Sequence, residues 1–228
     1  MHQNAARRQW ERMSSMNATK RGYGGISSEE RRATRRVALM DAALDLLTES
    51  GVRGVTKKAV CARARLNDRY FYEQFDDAEA LLEAVANDMT AAGLRAVATA
   101  TLQAPADVRA RIHAAADAAI EFVVADPRRS NILLISHTDA VLQRIRLDST
   151  RAIVRSMSAM TRDLLGESAP SQLDTDLAAF TIVTGVMELV AAWMRGEFDT
   201  SRAHLADVVA AMLMTVAEIS TTIPASGQ

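Results

Sequence analysis

Between Thr56 and Phe75 the chain reads T-K-K-A-V-C-A-R-A-R-L-N-D-R-Y-F-Y-E-Q-F, and its polar residues are hydrogen-bonding groups rather than nucleophiles or paired acids. Asn67, Asp68, Arg69, Tyr70 and Tyr72 crowd into the start of a short helix. Phe71 and Phe75, at i and i+4, claim its opposite side for burial. Thr56, Lys57 and Lys58 open another helix just upstream, and Arg65 falls in the break between the two. Guanidinium, phenol and carboxamide groups so placed suit the reading of base edges in a major groove. Two helix N-termini beside them suit phosphate oxygens. Taken singly, each of these residues also fits an ordinary solvated surface.

Two short helices and a tight turn must position this set. Thr56 and Asn67 are N-cap types, able to accept from free backbone N–H groups in the first turn of each helix. Val60 and Ala64, four apart, give the first helix a buried side, and its pattern breaks near Arg65-Leu66. This is a helix-turn-helix pattern. The order of residues resembles the TetR family of bacterial transcriptional regulators. The family's pattern, roughly T-x-x-x-I-A-x-x-A-G-V-S-x-x-x-L-Y-x-Y/H-F-x-x-K-x-x-L, maps onto Thr56, Val60, Cys61, Ala64, Arg65, Leu66, Asn67, Phe71, Tyr72, Gln74, Phe75, Ala78 and Leu81. Arg65 stands at the turn glycine, where a positive φ strains other residues. Ala78 stands at the family's phosphate-contacting lysine. The motif resemblance covers residues 35–82 or so. It implies that Tyr72 binds phosphate, that a fourth helix joins the DNA-binding head to a body, and that the last two helices pair with their copies across a twofold axis.

Composition agrees with an all-α chain of 228 residues, rich in Ala, Leu, Val and Arg and poor in aromatics. The net charge of −1 is unevenly spread. Residues 1–75 carry 15 Lys and Arg against 8 Asp and Glu, residues 76–228 carry 12 against 20, and a basic end of this kind suits a polyanion partner. One cysteine rules out an intrachain disulfide framework and suits a reducing cytoplasm. Cys61 itself reads as a small buried hydrophobe. No continuous apolar run approaches the ~18 residues of a membrane span, the best being about ten from Val208 to Ala217, and the N-terminus has no signal-peptide core.

In order, residues 1–28 read as a disordered basic tail, with a DNA-following arm as the alternative. Residues 29–76 form the helix-turn-helix domain. Ser27 or Ser28 caps its first helix, whose buried stripe is expected to be Val37, Met40, Leu44 and Leu47, with Gly51 at its end. Arg31, Arg32, Arg35 and Arg36 near its start are either phosphate contacts or a solvated face. Residues 77–228 form a helical effector-binding and dimerisation domain, about nine helices in all. Asp76 and Glu79 suggest a capping box for a helix to about Gln103, inside which Gly93 marks a kink or a close contact. Helices follow after Pro105, from Pro127, and over about 139–165, 172–195 and 201–222. The last two are apolar on several sides and call for cover by a second copy. Ala178, Gly185 and Ala192, with Val209, Met212 and Val216, are the expected dimer contacts.

No G-x-S-x-G, Walker A, G-x-G-x-x-G or H-E-x-x-H occurs, and His2, His113, His137 and His204 are scattered, so neither enzyme, cofactor nor metal is expected. A cavity in the body could be walled by Phe122, Ile135, His137, Met157, Met160, Phe180, Thr184, Met187 and Trp193, though each also reads as ordinary core. The resulting expectation is a dimeric DNA-binding repressor, cytoplasmic, bound to a palindromic operator and released by a small apolar or amphipathic effector. The alternative is a helical small-molecule-binding protein, or an unrecognised enzyme, with a merely structural helix-turn-helix.

Overall fold

Residues 27–135, 139–166 and 171–222 are described by a computed structural model, residues 164–165 and 216–222 by backbone alone. They form nine α-helices and no strand: α1 (Ser28–Gly54), α2 (Lys57–Ala64), α3 (Asp68–Tyr72), α4 (Ala78–Gln103), α5 (Val108–Val124), α6 (Pro127–Ile135), α7 (Ala140–Leu165), α8 (Gln172–Met194) and α9 (Arg202–Thr222). The expected tail lies almost wholly outside the described residues, as do His137 and the Val216 side chain.

Internal contacts divide the chain into residues 1–35 and 36–228. In the first unit Ser27 caps α1 reciprocally. Its Oγ accepts from Glu30 N–H at 3.0 Å while Glu30 Oε2 accepts from Ser27 N–H at 2.6 Å. The Ser27 backbone N–H, and then its hydroxyl, hold the Glu30 carboxyl below its ordinary value.

In the second unit the caps set most helix starts. Thr56, Asp77, Asp107, Asp139 and Ser171 each accept from a first-turn N–H of the following helix. Asp77, rather than the expected Asp76, caps α4. Gly51 breaks α1 with φ 66°, and a last turn carries it to Gly54. The buried face of α1 differs from the expected stripe. Leu39, Ala42, Ala43, Leu46 and Leu47 are buried, whereas Val37 is 65% exposed. The alanines let neighbouring helices approach closely, so the large residues alone misplace the face.

One core joins α1 to α4 and takes in Leu142 and Ile145 from α7, with Leu39, Val60, Phe71 and Leu81 inaccessible at its centre. A second joins α5, α6, α8 and α9 through Ile120, Leu133, Ala191, Ala206 and Val209. Val209 and Ala192 are therefore buried within their own chain, not on a face for a partner. Gly93 is a close contact within unbroken helix, since a Cβ there would lie 3.2 Å from the Phe122 ring.

A further correction concerns α8. It holds an 18-residue window of mean hydropathy 1.8, although its apolar run is punctuated. The cause is two apolar faces. Ala179, Ile182, Val183, Val190 and Ala191 point into the core, while Leu173, Leu177 and Phe180 stand exposed on the other side.

Candidate functional site

The short helix α3 is fixed from below by Phe71, fully buried and edge-on to Tyr72, and by Phe75. Its N-terminus is capped by Asn67, whose Oδ1 accepts from Arg69 N–H at 2.9 Å. The turn before it is made by Arg65 at φ 54°, ψ 39°, the one non-glycine among the described residues with positive φ. Its N–H reaches Ala62 O at 3.2 Å and Leu66 N–H reaches Cys61 O at 2.9 Å, a Schellman closure of α2 built without glycine. The expected conformation thus forms, at a strain of order 1–2 kcal/mol.

With this scaffold set, the polar residues sort into locked and open groups. Lys57 Nζ lies 2.8 Å from Asp68 Oδ2, donates to Tyr72 Oη at 3.3 Å, and sits 4.8 Å over the Tyr72 ring. The Asp68 hydrogen bond chiefly raises the Lys57 pKa, and Lys57 correspondingly lowers that of Asp68. Asp68 therefore engages the first helix of the motif and not Arg69. Arg69 pairs with Glu73 at 3.0 Å but is 84% exposed, so the pair is a weak surface one that DNA could displace. Thr56, Lys58, Arg65, Asn67 and Tyr72 are exposed beside it, with Tyr70 half-buried. Of the arginines on α1, Arg36 is occupied in packing, 4.5 Å over the Phe75 ring and donating to Gln74 O at 3.3 Å. Cys61 is buried, and burial raises its thiol pKa.

A charged net unnoticed in the sequence links this head to the body. Arg63 on α2 forks onto Glu49 at 2.9 and 2.5 Å and reaches Asp45 Oδ2 at 3.6 Å. The other oxygen of Asp45 meets Arg128 of α6 at 2.9 Å, and Arg128 also holds Asp41 at 2.8 Å and Asp126 at 3.2 Å. The hydrogen bond from Arg128 lowers the Asp126 pKa. Arg129, the next residue, donates to Phe122 O at 2.9 Å and lies 4.0 Å over the Phe122 ring. The Asp-Pro-Arg-Arg run from 126 to 129 was the visible signal, since it starts a helix with two adjacent cations that must diverge.

Behind Phe122 lies a cavity of about 360 Å³, walled by α4, α5, α6, α7, α8 and α9 with Leu47 of α1. Phe122, Met157, Met160 and Met187 line it. Ile135 packs instead against the head core, Phe180 is 46% exposed, and Trp193 closes the α8–α9 turn by donating to Thr200 O at 2.9 Å. Thr184 is also off the wall, its hydroxyl buried without a hydrogen-bond partner. The wall is apolar apart from Thr90, Arg129, Arg146, Ser149, Ser156 and Thr161. Among the described residues no group of three His, Cys, Asp or Glu is placed to hold a metal ion.

A capped helix-turn-helix with an exposed reading helix thus stands beside a hollow helical body. Residues 39–85 match the sequence model of the bacterial regulatory proteins of the tetR family. That match spans the helix-turn-helix and the start of α4. The fold of the chain is similar to that of the fatty acid degradation regulator FadR from Bacillus halodurans (16% identity, TM-score 0.65, covering 79% of this chain and 94% of that one). FadR from Bacillus subtilis, solved in complex with stearoyl-CoA, is similar at 14% identity and TM-score 0.62, covering 79% and 98%. A TetR-like regulator from Rhodococcus sp. RHA1 gives 20% identity and TM-score 0.58, covering 80% and 94%. No curated protein matches the chain by sequence.

Proposed function

We propose that the chain is a cytoplasmic, non-enzymatic repressor that binds a palindromic operator as a homodimer and leaves it when an apolar or amphipathic molecule enters the body. The observation that carries this reading is the placing of the cavity. Its wall includes Leu47, Leu82, Val85, Leu142 and Ile145, which are also residues of the head's own core. A ligand that moves them moves the frame on which α3 stands. The stearoyl-CoA bound by the Bacillus subtilis relative supports an effector with a long apolar part.

In this reading Thr56, Lys57, Lys58, Arg65, Asn67 and Tyr72 approach the phosphates, and Asp68, Arg69 and Tyr70 approach the bases. Dimerisation uses the exposed apolar faces of the last two helices: Leu173, Leu177, Phe180 and Gly185 of α8 with Val208 and Met212 of α9. Ala178 is half-buried at the edge of this face. Reading heads on successive major grooves stand ~34–36 Å apart, so a small rotation of each body breaks register.

The test is a gel shift with DNA upstream of the protein's own gene, paired with sedimentation at micromolar concentration. A retarded band competed poorly by random DNA, together with a twofold species that Gly185→Glu weakens, is the expected result. Loss of operator preference, or a clean monomer, would return the chain to the class of helical binding proteins with a structural head.

A further inference from the structure

The charges on the cavity wall narrow the chemistry of what fills it. Two charged residues line it, Arg129 and Arg146, and no aspartate or glutamate does. Arg129 is committed: it donates to Phe122 O, lies on the Phe122 ring, and has Asp126 at 3.9 Å. Arg146 is placed differently. Its side chain is 18% exposed, its Nε is buried with no hydrogen-bond partner, and its ion pair with Glu188 of α8 is stretched to 4.0 Å. A buried guanidinium with an unused donor carries a desolvation penalty that a facing anion relieves. A purely apolar ligand leaves that donor unpaired, a neutral acceptor pairs it without countering the charge, and a cationic ligand meets two like charges.

The apolar part of the wall has a direction as well. Leu142, Ile145, Ile153, Met157 and Met160 place one stripe of α7 along the cavity, and Arg146 stands near its head-proximal end. From Arg146 to Met160 the helix rises about 21 Å, the reach of a long extended alkyl chain. Methionines at the far end adapt to tails of differing length.

We propose that the cavity takes a long-chain aliphatic carboxylate, its headgroup on the Arg146 guanidinium and its chain laid along α7 toward Met157 and Met160. The proposal rests on the reading of this cavity as the effector site. It names a free carboxylate rather than a thioester, because a thioester carbonyl brings no charge to the arginine. Ile145, the neighbour of Arg146, is buried in the head's core, so the anion is bound where α7 meets the DNA-binding domain.

The experiment measures binding of sodium palmitate, 1-hexadecanol and palmitoyl-coenzyme A to the full-length protein without DNA, by displacement of a fluorescent fatty acid. Wild type should bind palmitate at least tenfold more tightly than the alcohol. Arg146→Gln should cost palmitate about 10- to 100-fold, the range of a charge-assisted hydrogen bond, and leave the alcohol unchanged. Arg146→Lys should recover part of the preference, and thermal melting should show both variants folded. If Arg146→Gln does not fold, Arg146→Lys and the wild-type acid-to-alcohol ratio carry the decision. Equal affinity for acid and alcohol, no binding of palmitate, or tighter binding of palmitoyl-coenzyme A unaffected by Arg146→Gln overturns the proposal. Gel shifts with the same ligands separate the two claims. Arg146-dependent palmitate binding without operator release keeps the carboxylate site and rejects the repressor reading. Release that ignores Arg146 does the reverse.

Discussion

The head and the body are built from the same kinds of apolar side chain and pack them to opposite ends. Around Phe71 the head is closed, with Leu39, Val60 and Leu81 showing no accessible surface. In the body, Phe122, Met157, Met160 and Met187 stand around a space instead of filling it. Close packing transmits displacement as a rigid piece, whereas a lined void yields to whatever enters it. In the function proposed above, the closed part keeps its shape on DNA and the hollow part takes its shape from a guest.

The comparison is broken most severely by Phe71→Ala. Removing a ring that touches only protein should cost about 3–5 kcal/mol in chemical denaturation and abolish operator binding. On the DNA side, Arg69→Ala should relax preference at one base pair of each half-site by about 1–3 kcal/mol, read by selection from randomised half-sites. If wild type and mutant return the same consensus and differ only in salt-sensitive affinity, Arg69 contacts phosphate instead. In the body the sign reverses. Ala119→Leu adds bulk to the cavity wall, and should stabilise by about 0.5–2 kcal/mol while weakening effector binding; a loss of stability would mean the space is not there to fill.

Much of this was legible in the chain. The starts of α1, α2 and α3 were marked by caps, and the motif from Thr56 to Phe75 was marked by spacing. What escaped has physical causes. Ala42 and Ala43 hide the true face of α1, because close approach of helices rewards small residues that a hydrophobic stripe discounts. Phe180 sits on a helix apolar on both sides, so periodicity cannot tell core from outer face. Arg146 follows Leu142 by four residues on a helix side that also carries Ile145, Ile153 and Met157, and that oddity was readable. Its meaning depends on the other helices that close the cavity.

Two smaller effects sharpen the contrast. Arg65→Gly relieves the one non-glycine positive φ among the described residues and should raise the head's stability by about 1 kcal/mol or less in thermal melts, since glycine also loosens the unfolded chain. The Asp126–Arg128 clamp gives a pH signature. Asp126 has a folded pKa below its unfolded value of about 3.9, so its stabilisation is fully present above that value. It is lost as pH falls through the lowered folded value. Asp126→Asn should therefore flatten the acid end of the stability profile and leave its slope near neutrality unchanged, as followed by circular dichroism.

Asp45 lies between two arginines from different parts of the chain. One carboxylate serves an arginine of the reading motif, Arg63, and an arginine of the body, Arg128. If the two sites communicate through such shared groups, the linkage runs both ways with one constant. An effector that weakens operator binding by some factor must itself be bound more weakly by that factor on the operator. Titrating the effector in the presence and absence of DNA then measures how far the two ends of the chain sense each other, and Asp45→Asn shows how much of that exchange passes through a single side chain.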